Sequence, residues 1–207
     1  NNDSGYDTTI FGKNAGSQIT ADGYYNTAFG TAAAQDTTTG DRNTAIGSFA
    51  LYRNITGGQN TAIGADSMGN NSGGTDGGSN TAVGAYSLYD ITGGDRNVAV
   101  GMAAGENLTT GNDNVFIGQM AGNDTNGSKA VIIGSYAGDD NSPTNSVIIG
   151  YEAGRVINGE NTTAVGYNAL KVATEPDNTA VGAYALQALV DGENNTALGI
   201  AAGYRIV

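Results

Sequence analysis

The sequence has no Cys, no His and no Trp, only 2 Pro among 207 residues, and only 8 Lys and Arg against 20 Asp and Glu. Each shortage excludes something. Without Cys there is no disulfide framework and no thiolate chemistry. Without His or Cys the commonest general base and the strongest side-chain nucleophile are missing, and paired carboxylates are the catalytic groups left to weigh. Pairs such as Asp139-Asp140 sit in bend-like sequence, where a solvated turn is the simpler reading, and no enzyme activity is expected. A net charge of −12 leaves nothing to neutralise a run of phosphates, which argues against nucleic acid as a partner. No apolar stretch approaches membrane-spanning length, so no direct membrane insertion is expected.

Glycine is abundant instead, at 34 residues, and a third of it is spaced with regularity. A phrase best seen as Asn43-Thr44-Ala45-Ile46-Gly47 and Asn60-Thr61-Ala62-Ile63-Gly64 recurs with closing glycines at Gly12, Gly30, Gly47, Gly64, Gly84, Gly101, Gly118, Gly134, Gly150, Gly166, Gly182 and Gly199. A fixed short period over a whole chain is the mark of a solenoid. The expectation is a single all-β parallel β-solenoid, a β-roll over 1–207 of about twelve coils of 16–20 residues, with a loop insertion at 70–79 and the character of a segment from a longer fibre.

Each coil can be read outward from its closing glycine. The residue before it is large and apolar in every copy: Phe11, Phe29, Ile46, Ile63, Val83, Val100, Ile117, Ile133, Ile149, Val165, Val181 and Leu198. Size alone assigns that row to the core. Two residues earlier, on the same side of a strand, stands Thr or Val. The intervening residue then faces outward; it is mostly Ala but becomes Phe116, Ile132 and Ile148 in three successive coils. A patch of that kind on a solvent face suggests a subunit interface.

Four residues before the glycine, Asn stands at Asn26, Asn43, Asn60, Asn80, Asn97, Asn114, Asn178 and Asn195. In stacked coils these would form an Asn ladder with amides bonded up and down the stack. A second glycine, seven residues before the first in ten of twelve copies, reads as a turn residue chosen for positive φ. After the closing glycine the third residue is always small, and the fourth is Leu, Met, Gly or Ala, which reads as a second strand of a flattened, two-sided coil.

Two binding chemistries deserve weighing. Acidic glycine-rich bends such as Gly94-Asp95 are oxygen-rich, yet no regular Asp phrase recurs, so no cofactor is expected and calcium is not favoured. Several of the 11 Tyr follow the closing glycine; Tyr86, Tyr136 and Tyr184 are weak candidates for ligand contact, with covering the flank of the roll the favoured alternative.

The repeated phrases resemble the YadA-like head repeats of trimeric autotransporter adhesins, and look similar to the Asn-Thr-Ala-Ile-Gly arrays of phage and bacterial tail-fibre proteins. That resemblance spans the chain and implies a left-handed roll associating as a homotrimer. It also implies a place on a cell or virion surface, outside the cell, in host attachment to a glycan or protein receptor. These coils are two or three residues longer than the family's, and Thr often replaces Val. The leading expectation is a structural fibre or adhesin segment. One alternative is an ice- or polysaccharide-binding surface presented by the Thr row, which becomes the better reading if that row lies open to solvent. The other is a self-stacking extracellular filament subunit.

Overall fold

A computed structural model describes residues 7–20, 22–70, 77–140, 142–157, 159–173, 175–189 and 192–206. One three-residue strand from each coil stacks in chain order into a twelve-stranded parallel sheet. Its rungs run from β1 (Thr9–Phe11) and β2 (Thr27–Phe29) through β3 (Thr44–Ile46), β4 (Thr61–Ile63) and so on to Thr196–Leu198. The register is unbroken: Ala45 pairs with Ala62, Ala62 with Ala82, and Ala82 with Ala99. The chain is thus a parallel β-solenoid whose phrase is its rung. At the usual strand spacing the sheet is roughly 50 Å long.

The faces of these strands are the reverse of the size-based expectation. The middle residue of each rung is the buried one: Ala45, Ala62, Ala82 and Ala99 are inaccessible, and so are Phe116, Ile132 and Ile148. The proposed core row of Ile46, Ile63, Val83, Val100, Ile117, Ile133, Ile149, Val165, Val181 and Leu198 instead points out, with Ile46 38% and Ile117 39% exposed. Phe116, Ile132 and Ile148 are therefore core residues and no subunit interface. The physical reason is the thinness of the filling. The small residue three places after the glycine (Ala50, Ala104, Ala121, Ala137) is itself fully buried, and the room inside takes a large side chain from one wall or the other rather than from both.

The fuller side chains come from elsewhere. Leu51, Met68, Leu88, Leu170 and Leu186, four places after the glycine, fill the core beside inward alanines. Where that fourth position is Gly at Gly16, Gly122, Gly138 and Gly154, the rung carries the larger Ile10, Phe116, Ile132 or Ile148, and at Gly105 the Phe116 ring of the next coil takes the space. A Cβ on Gly122 would lie 2.7 Å from the Phe116 ring, and one on Gly138 would lie 2.9 Å from the Ile132 Cδ1. Large and small trade walls along one continuous core.

The expected second strand directly after the glycine is absent among the described residues. That segment is a run of turns, and strands on the other side occur only in the last four coils, as Val156–Ile157, Val172–Ala173, Ala188–Leu189 and Arg205–Ile206. The cause lies in the backbone. Two and four places after each closing glycine the chain is left-handed, as at Phe49 (φ 56°) and Leu51 (φ 54°), while the residue between them is not. A third left-handed residue recurs five before the glycine, as at Arg42 and Arg96. Among the described residues thirty non-glycine ones share this conformation, which ordinarily costs about 1–2 kcal/mol each. Coil-to-coil bonds compensate: Phe49 N donates back to Thr31 O at 2.9 Å, while Leu51 N donates forward to Ser67 O at 2.9 Å.

Both kinds of glycine are held by neighbours. At Gly101 φ is +140°, and a Cβ there would stand 2.5 Å from the Gly118 carbonyl oxygen. Among the turn glycines Gly192 has the expected positive φ, at +137°, whereas Gly40, Gly94 and Gly111 do not. Those three are glycines for want of room: a Cβ on Gly111 would meet Leu108 Cδ1 at 2.6 Å. The insertion expected at 70–79 falls largely on 71–76, outside the described residues; the ladder resumes beyond it with Asn80 N donating to Asn60 Oδ1 at 2.9 Å.

The ladder itself is built from amide to backbone. Asn43 Oδ1 accepts from Asn60 N at 2.9 Å, and its Nδ2 donates to Gly57 O in the next bend at 2.8 Å. Asn26, Asn60, Asn80, Asn97, Asn114 and Asn178 reach forward in the same way. Direct amide–amide bonds supplement it only in places, as from Asn97 Nδ2 to Asn80 Oδ1 at 3.1 Å and from Asn195 Nδ2 to Asn178 Oδ1 at 3.1 Å.

Candidate functional site

Because alanines fill the inside, the outer face of the long sheet carries the large residues. Each rung contributes an apolar residue next to the glycine and a Thr or Val two places before it. The result is two parallel rows. One runs from Phe29 through Ile46, Ile63, Val83, Val100, Ile117, Ile133 and Ile149 to Val181, partly or largely exposed throughout. The other holds Thr27, Thr44, Thr61 and Thr81, then Val98, Val115, Val131 and Val147, then Thr163, Thr179 and Thr196. Toward the first coil, Phe11 and Phe29 stack with ring centroids 5.0 Å apart. A continuous apolar strip of this length is far larger than the scattered exposed side chains of an ordinary surface.

Around the corner from this face lie the tyrosines, and the structure separates the three candidates. Tyr136 and Tyr184 belong to a ladder of contacting rings, Tyr136–Tyr151–Tyr167–Tyr184–Tyr204, with successive centroids 6.3, 5.5, 5.2 and 6.4 Å apart. Tyr86 stands apart, packed edge-on against Tyr89 at 5.6 Å. All three candidates occupy the left-handed position after the glycine, at φ 58°, 58° and 60°. Each is fixed by a backbone bond to the preceding coil, such as Tyr184 N to Tyr167 O at 2.8 Å.

Polar chemistry on the flanks is mostly stapling. Arg155 contacts Asp139 at 3.6 Å and Glu152 at 3.3 Å, and Lys171 reaches Glu152 from the next coil, joining three coils through largely covered carboxylates. Burial raises the Asp139 carboxyl above its ordinary value; Arg155 opposes this, and Asp124, Asp140 and Glu152 add to it. Burial likewise raises Glu106, aided by Asp90 and Asp124. Arg96 grips Asp113 in the next coil through Nε at 2.6 Å and Nη2 at 3.1 Å, which lowers the Asp113 pKa. Among the described residues no group of three or more acidic, His or Cys side chains is placed to hold a metal ion.

Among the described residues hollows open on the flanks, two of which stand out. One, of about 350 Å³, is lined by Lys171, Val172, Gln187, Ala188 and Tyr204. The other, of about 220 Å³, lies among Phe49, Tyr52, Arg53, Asp66, Asn70 and Tyr89. Sequence reasoning missed both. Their one signal was departure from the repeat, for instance the aromatic residues Tyr52 and Tyr89 five places after the glycine, where other coils carry Ser17, Gln35 or Asn123. The chain matches no family model, no curated protein and no solved structure.

Proposed function

We propose that this chain is a structural, non-catalytic segment of an extracellular fibre, a β-solenoid shaft or head projecting from a cell or virion surface and assembled as a homotrimer. The observation that carries this reading is the outer strand face, where Ile46, Ile63, Val100 and Ile117 form an unbroken exposed apolar row. Covering such a row removes apolar area from water at roughly 25 cal/mol per Å², and a second copy offers the same flat, equally spaced surface. Association side by side is also what the resemblance to the adhesin and tail-fibre repeats implies, with three copies around one axis. The net charge of −12 keeps the remaining flanks soluble and mutually repelling. Attachment to a glycan or protein receptor would then fall to the exposed flanks. Sedimentation equilibrium tests the assembly: three times the 20.8 kDa chain mass is expected, and a single-chain mass at every concentration contradicts it.

A second reading draws on the outward Thr row. Thr27, Thr44, Thr61 and Thr81 share the solvent side at one strand spacing, which suits matching to a repeating surface such as ice or a crystalline polysaccharide. Against it, the row is half-covered rather than open and gives way to Val98, Val115, Val131 and Val147 in the middle of the rod. A thermal-hysteresis assay separates the two: activity favours the lattice reading, and its absence favours the fibre.

A further inference from the structure

In a solenoid the repeating residues are dictated by stacking, so side chains that depart from the repeat are free to serve something else. One cluster of departures gathers in space. The hollow of about 220 Å³ on the flank draws on three successive coils, with Phe49, Tyr52 and Arg53 from the first, Asp66 and Asn70 from the second and Tyr89 from the third. It lies away from the outer strand face and does not depend on how that face is used.

Its aromatic walls are Phe49, packed edge-to-face on Tyr52 at 5.3 Å, and Tyr89, which Tyr86 supports from outside the hollow at 5.6 Å. Its polar rim is pre-organised. Arg53 Nη1 donates to Asn70 Oδ1 at 3.2 Å, and Asn70 Nδ2 donates to Asp90 Oδ1 at 2.7 Å. The Asn70 backbone is pinned in turn to Tyr89 O at 2.9 Å. Arg53 also lies 5.8 Å over the Tyr52 ring, which holds that ring in place. Burial, with Asp66 and then Asp90 nearby, raises the Tyr89 phenol above its ordinary value, so it stays a neutral hydroxyl able to donate or accept. Asp66 is held by its backbone, with φ 54° and N bonded to Ser48 O at 2.9 Å.

We infer that this hollow is a saccharide-binding site, taking one pyranose unit of a glycan. The apolar C–H face of the ring would rest on the Tyr52 and Tyr89 walls, and its hydroxyls would donate to the Asp66 carboxylate and accept from Arg53. Aromatic rings beside fixed polar groups suit a ligand with one greasy and one hydroxylated side. The guanidinium of Arg53 works against a cationic ligand, which would otherwise suit the aromatic walls. Asp66 in turn works against an anionic one, which leaves a neutral sugar.

Saturation-transfer NMR on the whole chain tests this, with the methyl pyranosides of glucose, galactose, mannose and N-acetylglucosamine as probes. The expected result is transfer to the ring C–H protons of at least one probe. Affinity should weaken about tenfold in Asp66→Asn, the loss of one charged hydrogen bond. Asn also tolerates the left-handed backbone there, so the fold is kept, and an unchanged far-ultraviolet spectrum verifies it. Tyr52→Ala should abolish transfer, and Gln119→Ala, on an exposed residue remote in sequence, should leave it unchanged. Absence of transfer to all four probes overturns the inference, as does equal affinity in Asp66→Asn. Neither outcome bears on the assembly, which sedimentation reads separately.

Discussion

The Phe116 ring occupies the space that a side chain at Gly122 would need: a Cβ on Gly122 would stand 2.7 Å from ring carbons Cδ1 and Cε1. Coils 3 to 5 solve the same packing problem the other way, with Ala45, Ala62 and Ala82 on the rung and Leu51, Met68 and Leu88 across from it. The two patterns should be interchangeable only as a pair. Phe116→Ala alone is expected to cost about 3–5 kcal/mol. Gly122→Leu alone overpacks the coil at about 1–3 kcal/mol or more. The double variant should recover part of both, with a favourable coupling of about 1–3 kcal/mol in a urea-unfolding cycle. Simple additivity would contradict the pairing.

The Asn ladder gives a prediction with two signs. Asn80 accepts from Asn97 N at 2.8 Å and donates to Gly94 O at 2.8 Å, all buried. Asn80→Ala strands both partners and should cost about 2–4 kcal/mol. At coil 8 the ladder position is Ala130, which is buried and has no amide to offer the next coil. Ala130→Asn should extend the ladder there and stabilise by about 0.5–1.5 kcal/mol in the same assay. A loss of stability at Ala130→Asn would show that the gap is sterically required.

Acid should help this protein before it harms it. Burial raises both Asp139 and Glu106 in the folded chain. The folded state then holds protons that the unfolded state has already released, so stability falls as pH rises from about 4 toward the raised folded values. Relief of repulsion within a chain of net charge −12 adds the same sign. Asp113 runs the other way, but it is exposed beside Arg96 and contributes little. Melting temperatures should therefore be higher near pH 4.5 than near pH 7, and Asp139→Asn with Glu106→Gln should flatten the difference.

A charge on the outer face should spare the coil and break the assembly. Ile63 is 37% exposed, so Ile63→Lys in the dissociated chain should shift stability by no more than about 0.5 kcal/mol. In the proposed trimer the same lysine is buried without a partner, and the sedimenting mass should fall toward that of one chain. An unchanged mass would place the subunit contact elsewhere.

Register and rung positions were legible in the sequence because the period fixes them whatever direction the side chains take. Asn43, Asn60 and Asn80 align because the closing glycines align. Facing was not legible. A three-residue rung offers a single inward position, and the rule that large residues go inside fails where the other wall already supplies the large group, as Leu51 does in the coil of Ala45. The left-handed residues Phe49, Leu51, Arg42 and Tyr86 share no residue type, so their backbone leaves no trace in the pattern, and by pattern alone the turns resemble a strand. The exchange between Gly122 and Phe116 was visible as letters, but it becomes a contact only once both are known to face one core. The flank hollow at Tyr52 and Tyr89 could be noticed only as an irregularity.

Ala62 and Ile63 are neighbours in one rung, and the whole account of the outer face rests on the small one being inside and the large one outside. The chain has no native Cys, so Ala62→Cys and Ile63→Cys can each be labelled with a maleimide at a single site, in solution dilute enough to hold single chains. The Ile63→Cys thiol should react at once and completely, while the Ala62→Cys thiol should react only as fast as the chain unfolds. Rapid labelling at Ala62→Cys with protection at Ile63→Cys would contradict the account.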